Sequence, residues 1–496
     1  TITLPLENGI VALTEGNDKE LSKIGVVKLD MLGIRELDRQ RMMFNLTGVK
    51  PPKDPNEYPV EMFEETFQKG KTLGFFQVDA STGIRDLTIS IKPTNFNDIV
   101  AAISLYRPGA LDAGTAQIYA ELKQNGQRFI HPEIDKILEP TYGVIIYQEQ
   151  VMDLYALITS SGKEGADLAR RILSPKSAKK LTDPDWIAEK DNVEKEFYEL
   201  GLNNKWDKKL LDELWSELLT HTRYSFNKSH AASYAFHAIK DAWYLWKYPV
   251  QYYTSLLLID QHNNNLDINK ILYYAVQDEI EVVPPDINIS TDKYEYRDGK
   301  IYLPLQTIYR ISDNGVTHLL EQRDLLPNKR FETVDDLKRL DGRKVNKSTL
   351  RRLYQIGGCK VHGVEELIKS DDIPIGTEKD LEFDAMNFII PNKFIINLIS
   401  KSIEKVQSQV GFVIGHKNKK TKNGHPFISY KLHPYGNFWV YPNGKELIKN
   451  GTLVGVNYMV KNGRTFGLAE KVYKLPFTEE EFKTEYKDNK EDYRIY

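Results

Sequence analysis

A single cysteine among 496 residues leaves no partner for an internal disulfide and fits a reducing cytoplasm. No uncharged apolar run approaches the roughly 18 residues that a membrane span needs. Nor does a basic segment followed by an apolar core open the chain. Charge of one sign is scarcely in excess: 70 acidic against 67 basic residues leave a net charge of −3. Any affinity for nucleic acid must therefore come from local patches. The phosphate-cradling G-x-x-x-x-G-K-[ST], the dinucleotide G-x-G-x-x-G, H-E-x-x-H and the nucleophile elbow G-x-S-x-G are all absent, which removes most hydrolase and oxidoreductase readings. Cys359 with scattered histidines offers no zinc spacing. What remains is 41% hydrophobic and 28% charged, a globular composition that excludes wholesale disorder and collagen-like sequence. The length exceeds what one core fills, so two to four domains are expected.

Residue patterns divide the chain. Ile24 to Asp30 is a β-branched run closing on an acid, and a helical pattern with Leu37, Met42 and Met43 follows. Pro51, Pro52, Pro55 and Pro59 then mark a linker. From about Phe63 to His262 the period is mostly helical. Ile145, Tyr147, Val151, Leu154 and Ile158 predict one long helix, Leu210 to Leu219 another, and Ser229 to Trp246 a buried one. After Val283-Pro284-Pro285 come short mixed elements to Cys359, then a weakly patterned connector to about Lys405. There the period changes to two. Val410 to Ile414, Pro426 to Leu432, Phe438 to Tyr441 and Leu453 to Val460 alternate, separated in part by Asn-Gly pairs, which predicts a small β-barrel or meander. The segment after Pro476 carries seven acids against four bases and is expected to be a solvated tail.

Three groups of residues could carry chemistry. Asp30, closing a strand-like run, fits a divalent-cation ligand, although spacing alone favours the cap of a following helix. One carboxylate alone does not suffice for two-metal phosphoryl transfer. Arg170 and Arg171 stand side by side on a predicted helix, about 100° apart, so one can face a cleft while the other reaches its rim. Arginine binds phosphate bidentately, although a surface salt bridge explains such a pair as well. Lys228, within Phe226-Asn227-Lys228-Ser229-His230, stands at a helix entry, where backbone N–H groups favour anions. His221, His230 and His237 have no ligand spacing and read as packed or surface histidines. From Lys405 to Lys445 there is no Asp or Glu. Lys417, Lys419, Lys420, Lys422 and Lys431 are interleaved there with Phe412, Phe427, Tyr430, Phe438, Trp439 and Tyr441. Basic residues that track a backbone plus aromatic faces suit a single-strand-binding barrel; a β-domain with those aromatics in its core is the alternative.

Together these motifs resemble, in order, the catalytic alpha subunit of bacterial replicative DNA polymerase III, the C family. Gly25-Val26-Val27-Lys28-Leu29-Asp30-Met31-Leu32-Gly33 is similar to G-L-V-K-F-D-F-L-G. Gly74-Phe75-Phe76-Gln77-Val78 with Gly83-Ile84-Arg85-Asp86-Leu87, and Leu105-Tyr106-Arg107-Pro108-Gly109, resemble further family runs. Tyr142 to Met152 is nearly identical to the family stretch. Gly165 to Arg171 resembles G-x-A-D-x-L-R-R, and Phe226 to Ala232 matches F-N-K-S-H-A-A. Pro284 to Asn288 and Arg343 to Lys347 look like landmarks around the family's helix-hairpin-helix region. The hairpin itself, near Ile308 to Gly315, has lost most of its glycines, which puts its phosphate grip in doubt. After Arg171 the family's A-M-G-K-K is replaced by Ile172-Leu173-Ser174-Pro175-Lys176, and no clean sliding-clamp peptide occurs.

The resemblance implies a multidomain α+β protein with a mainly helical fingers domain, a small helix-hairpin-helix-like domain and a C-terminal oligonucleotide-binding (OB-fold) β-barrel. The expected boundaries are 1–62 for the end of the palm and 63–275 for the fingers. The helix-hairpin-helix-like domain spans 276–380, the connector 381–404, the barrel 405–475 and the acidic tail 476–496. The implied function is template-directed addition of deoxynucleotides to a primer 3′ end. Asp30 would be one of three carboxylates holding two Mg2+ ions, and Arg170, Arg171, Lys228 and His230 would hold the deoxynucleoside triphosphate. Lys28, Arg107, Gln148, Lys417, Lys419, Lys420, Lys422 and Trp439 would touch primer–template DNA or single-stranded template. Family regions carrying the other two carboxylates should precede residue 1, so the chain is expected to be inactive alone. It would need an N-terminal polymerase part, supplied separately or joined by splicing. Other replisome proteins, a sliding clamp among them, are further candidate partners. The expected location is the cytoplasm, that of a host if the chain is phage-encoded. A non-catalytic single-strand-binding or accessory replication subunit descended from such a polymerase is the alternative.

Overall fold

The structure is a computed structural model and describes residues 3–5, 11–13, 35–174, 182–222, 224–263, 268–368, 378–386, 388–403, 408–420, 426–433, 437–441, 447–448, 452–461 and 464–475. Lys28, Asp30 and Lys422 lie outside the described residues, as does the tail after Leu475. Two three-residue strands, β1 (Thr3–Pro5) and β2 (Val11–Leu13), pair antiparallel at the start.

Helices then dominate. The Leu37–Met43 pattern is α1 (Arg35–Thr47), and beyond the proline linker follow α2 (Phe96–Leu105) and the short α3 (Pro108–Asp112). Asn95 starts α2 with a reciprocal box, its side chain taking the Asp98 N–H while Asp98 takes that of Asn95. The long helix predicted from Ile145 begins three residues later, as α4 (Gln148–Thr159). Gln150 turns its Oε1 back onto the N–H groups of Ile146 and Tyr147, 2.9 and 3.0 Å away, which ends the helix there and leaves Ile145–Tyr147 extended. Next come α5 (Lys163–Leu173), α6 (Pro184–Asn203), α7 (Lys208–Thr222), α8 (Lys228–Lys247), α9 (Pro249–Asn263) and α10 (Ile268–Gln277).

This helical region holds two cores. Ile134, Val151, Leu154, Ile158, Phe197, Leu211, Trp215 and Leu218 form one, contributed by α4 to α7 and the helix before them. The other contains Phe63, Phe67, Phe75, Ile99, Tyr119, Ala235, Ile239 and Tyr252, and continues without a break through Leu303, Leu319, Leu350 and Cys359 to Ile390. This core runs across residue 275, while Tyr273 of α10 joins a further group with Ile395, Ile399, Phe412 and Leu453. Hydrophobic period marks which faces are buried, but not which buried faces meet.

The mixed region contains a small sheet of β3 (Glu281–Val283), β5 (Lys300–Tyr302) and β4 (Glu295–Arg297), in that order. It continues with α11 (Asp313–Asp324), α12 (Val334–Lys338) and α13 (Lys347–Gln355). Gly315, the glycine that survives in the hairpin stretch, lies inside α11 with Ser312 as cap. A Cβ there would meet the Lys344 carbonyl at 2.7 Å, so this glycine serves close packing. The weakly patterned connector carries α14 (Glu378–Met386) and α15 (Lys393–Ile403).

All four runs of period two are strands: β6 (Ser408–Lys420), β7 (Pro426–His433), β8 (Asn437–Val440) and β9 (Leu453–Lys461). A fifth that the pattern did not single out, β10 (Arg464–Lys474), closes them into a barrel of order β10-β8-β7-β6-β9. Its contact with β8 is parallel, at Leu468 and Trp439. Phe412, Tyr430 and Phe438 are fully buried in this unit, and the Tyr430 and Phe438 rings stack at 5.3 Å. Those three aromatics are core and present no face to a nucleic-acid base. Phe427 is half-buried and Tyr441 exposed.

Candidate functional site

Two extended segments make the centre of the site. Tyr147 and Phe226 form a parallel bridge, the Phe226 N–H donating to the Ile146 carbonyl and the Gln148 N–H to the Phe226 carbonyl, each at 3.0 Å. Helices α4 and α8 start immediately after it, so their N-termini stand side by side. Gln148 adds a bond from Nε2 to the Ser225 carbonyl at 3.3 Å. Arg107, N-cap of α3, lays its guanidinium 3.7 Å from the centre of the Phe226 ring, and burial pulls its pKa below the usual value. Gly109, just beyond it, faces Tyr224 so closely that a Cβ would overlap the tyrosine ring.

The His230 ring lies 5.5 Å from that of Phe226, and the Tyr234 ring 4.3 Å from that of His230. Phe76 continues the row at 5.0 Å from Tyr234 and 5.9 Å from His237. His230 is exposed; Phe226, Phe76, Tyr234 and His237 are half-buried. A partly open aromatic stripe thus runs along α8. The Lys228 Nζ stands 5.3 Å from the centre of the Tyr147 ring. Arg107, Gln148, Lys228 and His230, drawn from distant parts of the chain, are brought together.

The α8 N-terminus already carries an anion. Both oxygens of Glu149 accept from the Lys228 N–H at 3.1 Å, and Asn227 caps the helix by accepting from the His230 N–H at 2.8 Å. The positive helix end that the sequence offers to a phosphate therefore faces a carboxylate of this chain. Glu149 and Lys228 stand 79 positions apart, and no local signal links them.

Arg170 and Arg171 occupy the last turn of α5, whose Ala166, Ala169 and Leu173 enter the core formed with Val151 and Phe197. The divergence expected of neighbours is present: the Arg171 side chain is 70% exposed and that of Arg170 17%. Both hold one acid. Arg170 donates to Asp167 Oδ1 from Nε at 3.1 Å and Nη2 at 2.9 Å, and Arg171 Nη2 reaches Oδ2 at 2.5 Å. The Arg170 hydrogen bond foremost, with Arg171 adding to it, holds the Asp167 carboxyl below the usual carboxylate range. The salt-bridge reading thus describes this conformation, and the three- and four-residue spacing of Asp167 was its sequence signal. Among the described residues no hydrogen bond, ion pair or ring contact joins these arginines to Arg107, Lys228 or His230.

Lys417, Lys419 and Lys420 are exposed along β6. Lys417 is in register with Ser429, and Ser429 with Trp439 on β8, whereas Lys419 and Lys420 are in register with Phe427 and Pro426. Among the described residues no group of three or more His, Cys, Asp or Glu could hold a metal ion, and no helix is long and apolar enough to cross a membrane.

A buried group ties α1 to α8. Asp241 accepts from Arg39 at 2.5 Å and from the Phe76 N–H at 3.0 Å. Glu36 also pairs with Arg39, and burial and then the neighbouring Asp241 push its carboxyl far above its ordinary value. Gly74 admits this arginine: at φ +78°, its missing side chain leaves room for Nη1, 2.6 Å from where a Cβ would stand. The G-F-F-Q motif is thereby fixed against the helix that carries Lys228 and His230.

Comparison with known proteins gives these arrangements a family. A family model described as "Bacterial DNA polymerase III alpha subunit finger domain" matches residues 50–194, and one described as "Helix-hairpin-helix motif" matches residues 279–366. The chain is 27% identical over 460 residues to DNA polymerase III subunit alpha of Buchnera aphidicola, covering 86% of this chain and 38% of that protein. The protein of the same name from Campylobacter jejuni is 30% identical over 367 residues, 71% of this chain and 29% of that one. That from Aquifex aeolicus is 26% identical over 517 residues, 94% of this chain and 43% of its own. The chain thus spans between 29% and 43% of the length of these relatives. Through its fingers and helix-hairpin-helix regions it belongs to the family of the bacterial DNA polymerase III alpha subunits.

Proposed function

We propose that this chain forms the fingers, helix-hairpin-helix-like and barrel parts of a replicative DNA polymerase that adds deoxynucleotides to a primer 3′ end in the cytoplasm. The supporting observation is the convergence of Arg107, Gln148, Lys228 and His230 at the paired starts of α4 and α8, at motifs that resemble those of the family. In this reading Lys228 and His230, with Arg170 and Arg171 from the neighbouring helical unit, receive the triphosphate. Arg107 and Gln148 line the path of the template or primer. Asp167 and Glu149 act as placeholders: they neutralise the arginines and the α8 N-terminus until phosphate displaces them. The exchange keeps the two arginines and the helix end paired while the nucleotide is absent, and each charge-assisted contact with phosphate then contributes about 1.5–3 kcal/mol.

We assign 63–275 to the fingers, 276–380 to the helix-hairpin-helix-like part and 405–475 to an OB-fold. Five strands closed in Greek-key fashion support that last assignment. The barrel would hold single-stranded template on Lys417, Lys419 and Lys420. The two Mg2+ ions implied by the family find no ligand group among the described residues; the metal-borne step falls to carboxylates elsewhere, Asp30 being this chain's candidate. Primer extension tests the reading. The chain mixed with a polymerase N-terminal part should extend a primer, Lys228→Ala should weaken deoxynucleotide use, and Asp30→Asn should abolish extension. Full activity of the Asp30→Asn mixture would remove that residue from the metal site. Retained binding of single strands with no rescue by any N-terminal part would favour a non-catalytic accessory subunit.

A further inference from the structure

On the α8 flank that adjoins the aromatic stripe, α1, residues 49–53 and α8 enclose a cavity of about 370 Å³. Four cations line it, Arg41, Lys50, Lys53 and Lys240, together with the rings of Phe44, Phe236 and Tyr244, and no acidic residue does. In a chain with three more acids than bases, four cations around one hollow with no carboxylate in its wall are unusual. None of the four makes an ion pair among the described residues. The nearest acids to Lys240, Asp241 and Glu36, are spent on Arg39 in the interior. The Lys240 amine is half-buried and lies 4.0 Å from the centre of the Phe236 ring, and Lys50 lies 5.0 Å from that of Phe44. Burial is the main cause that lowers the pKa of Lys240, against the opposing pull of Asp241 and Glu36.

The walls are also held in place. The Tyr244 hydroxyl donates to the Val49 carbonyl at 3.0 Å and pins the 49–53 segment to α8. Pro51 and Pro52 stiffen that segment, and Gln40 of the same cavity bonds His237 of the aromatic stripe at 3.2 Å. The volume lies within the range of small-ligand sites, about 300–1,000 Å³, and is too small for a duplex. Cations that bind phosphate oxygens, alternating with flat rings that stack a base, are the chemistry that receives a nucleotide. At about 1.5 Å per residue, Lys240 is roughly 18 Å along α8 from Lys228, so this cavity is separate from the cluster at the helix start.

We propose that this cavity binds one nucleotide unit, its phosphate held by Lys50, Lys53, Lys240 and Arg41 and its base set against Phe44, Phe236 or Tyr244. The unit belongs either to a free deoxynucleoside triphosphate or to one residue of a single strand, since both present the same phosphate and ring. The assignment rests on the cavity alone and stands or falls separately from the polymerase reading.

Photo-crosslinking tests it on the whole chain. 5-Iodo-dUTP, and separately a twelve-residue oligo-dT carrying one 5-iodo-dU, are irradiated with the protein and the adducts mapped by mass spectrometry. Adducts at Phe44, Phe236 or Tyr244 are expected with at least one probe. The first probe marks a free nucleotide as occupant, the second a strand. Lys53→Met with Lys240→Met should reduce that yield about tenfold or more, at unchanged circular dichroism. Phe44→Ser, at a ring 39% exposed, provides a second variant should the first not fold, and it should likewise lower the yield. Absence of adducts at the three rings with both probes, or a yield indifferent to these variants, overturns the assignment.

Discussion

Glu36→Gln tests whether the buried group of Glu36, Arg39 and Asp241 carries one proton more than the same residues do in the unfolded chain. The three are 5%, 6% and 1% exposed, and two carboxylates share one guanidinium. Asp241 has the Arg39 and Phe76 donors, whereas Oε1 of Glu36 has no hydrogen-bond partner. Ionising both acids would leave a net negative charge in the interior, at a cost of several kcal/mol. Burial and then Asp241 therefore raise the Glu36 carboxyl from 4.5 to about 11. For a carboxyl raised on folding, the folded chain retains a proton that the unfolded chain releases. Its contribution to stability is complete below the ordinary value of 4.5 and is lost as pH rises from there toward the folded value. The slope is up to about 1.4 kcal/mol per pH unit, or up to about 2.7 kcal/mol between roughly pH 6 and pH 8. Glutamine is neutral at every pH and keeps the shape. The stability of Glu36→Gln relative to wild type should thus grow by that amount across the interval. Hydrogen exchange of peptides from α1 and of the α8 stretch around Asp241, read by mass spectrometry, isolates this unit within a multidomain chain. Comparing the two proteins at each pH cancels the intrinsic exchange rate. A difference that stays flat with pH, or shrinks as pH rises, refutes the buried proton.

Three further outcomes are expected. Asp167→Asn removes the shared acid of Arg170 and Arg171, so calorimetric affinity for dTTP should rise several-fold; unchanged affinity would mean that Asp167 does not compete with phosphate. Replacing Lys417, Lys419 and Lys420 together by Ala should lower the slope of log affinity for oligo-dT against log salt by about 2, near 0.7 per lost phosphate contact, whereas an identical slope would remove β6 from the strand path. Tyr430→Ala should destabilise the barrel by about 3–5 kcal/mol in denaturant melts, because its ring is fully buried and its hydroxyl accepts the Ile448 N–H. Tyr441→Ala, 46% exposed, should stay within about 0.5 kcal/mol, and comparable losses at both positions would contradict the assigned core.

The mainly helical stretch up to His262, the helix entry at Phe226–His230 and four of the five barrel strands were legible because apolar period is written locally. The fifth strand was not singled out: the sequence records a run's period, but barrel closure by β10 depends on its pairing with β8 and β9. The ordered motifs determined the family, since backbone turns and phosphate-binding side chains demand particular residues at fixed spacing. Other decisions belong to the tertiary structure alone. Whether Phe412, Tyr430 and Phe438 face a base or the core depends on register and closure, and closure buried them. Which acid neutralises the α8 N-terminus depends on α4 starting beside it, and Arg39 meets Asp241 across 202 positions. A sequence records how strongly each residue prefers burial or charge; the partner that satisfies the preference is chosen only when distant segments pack.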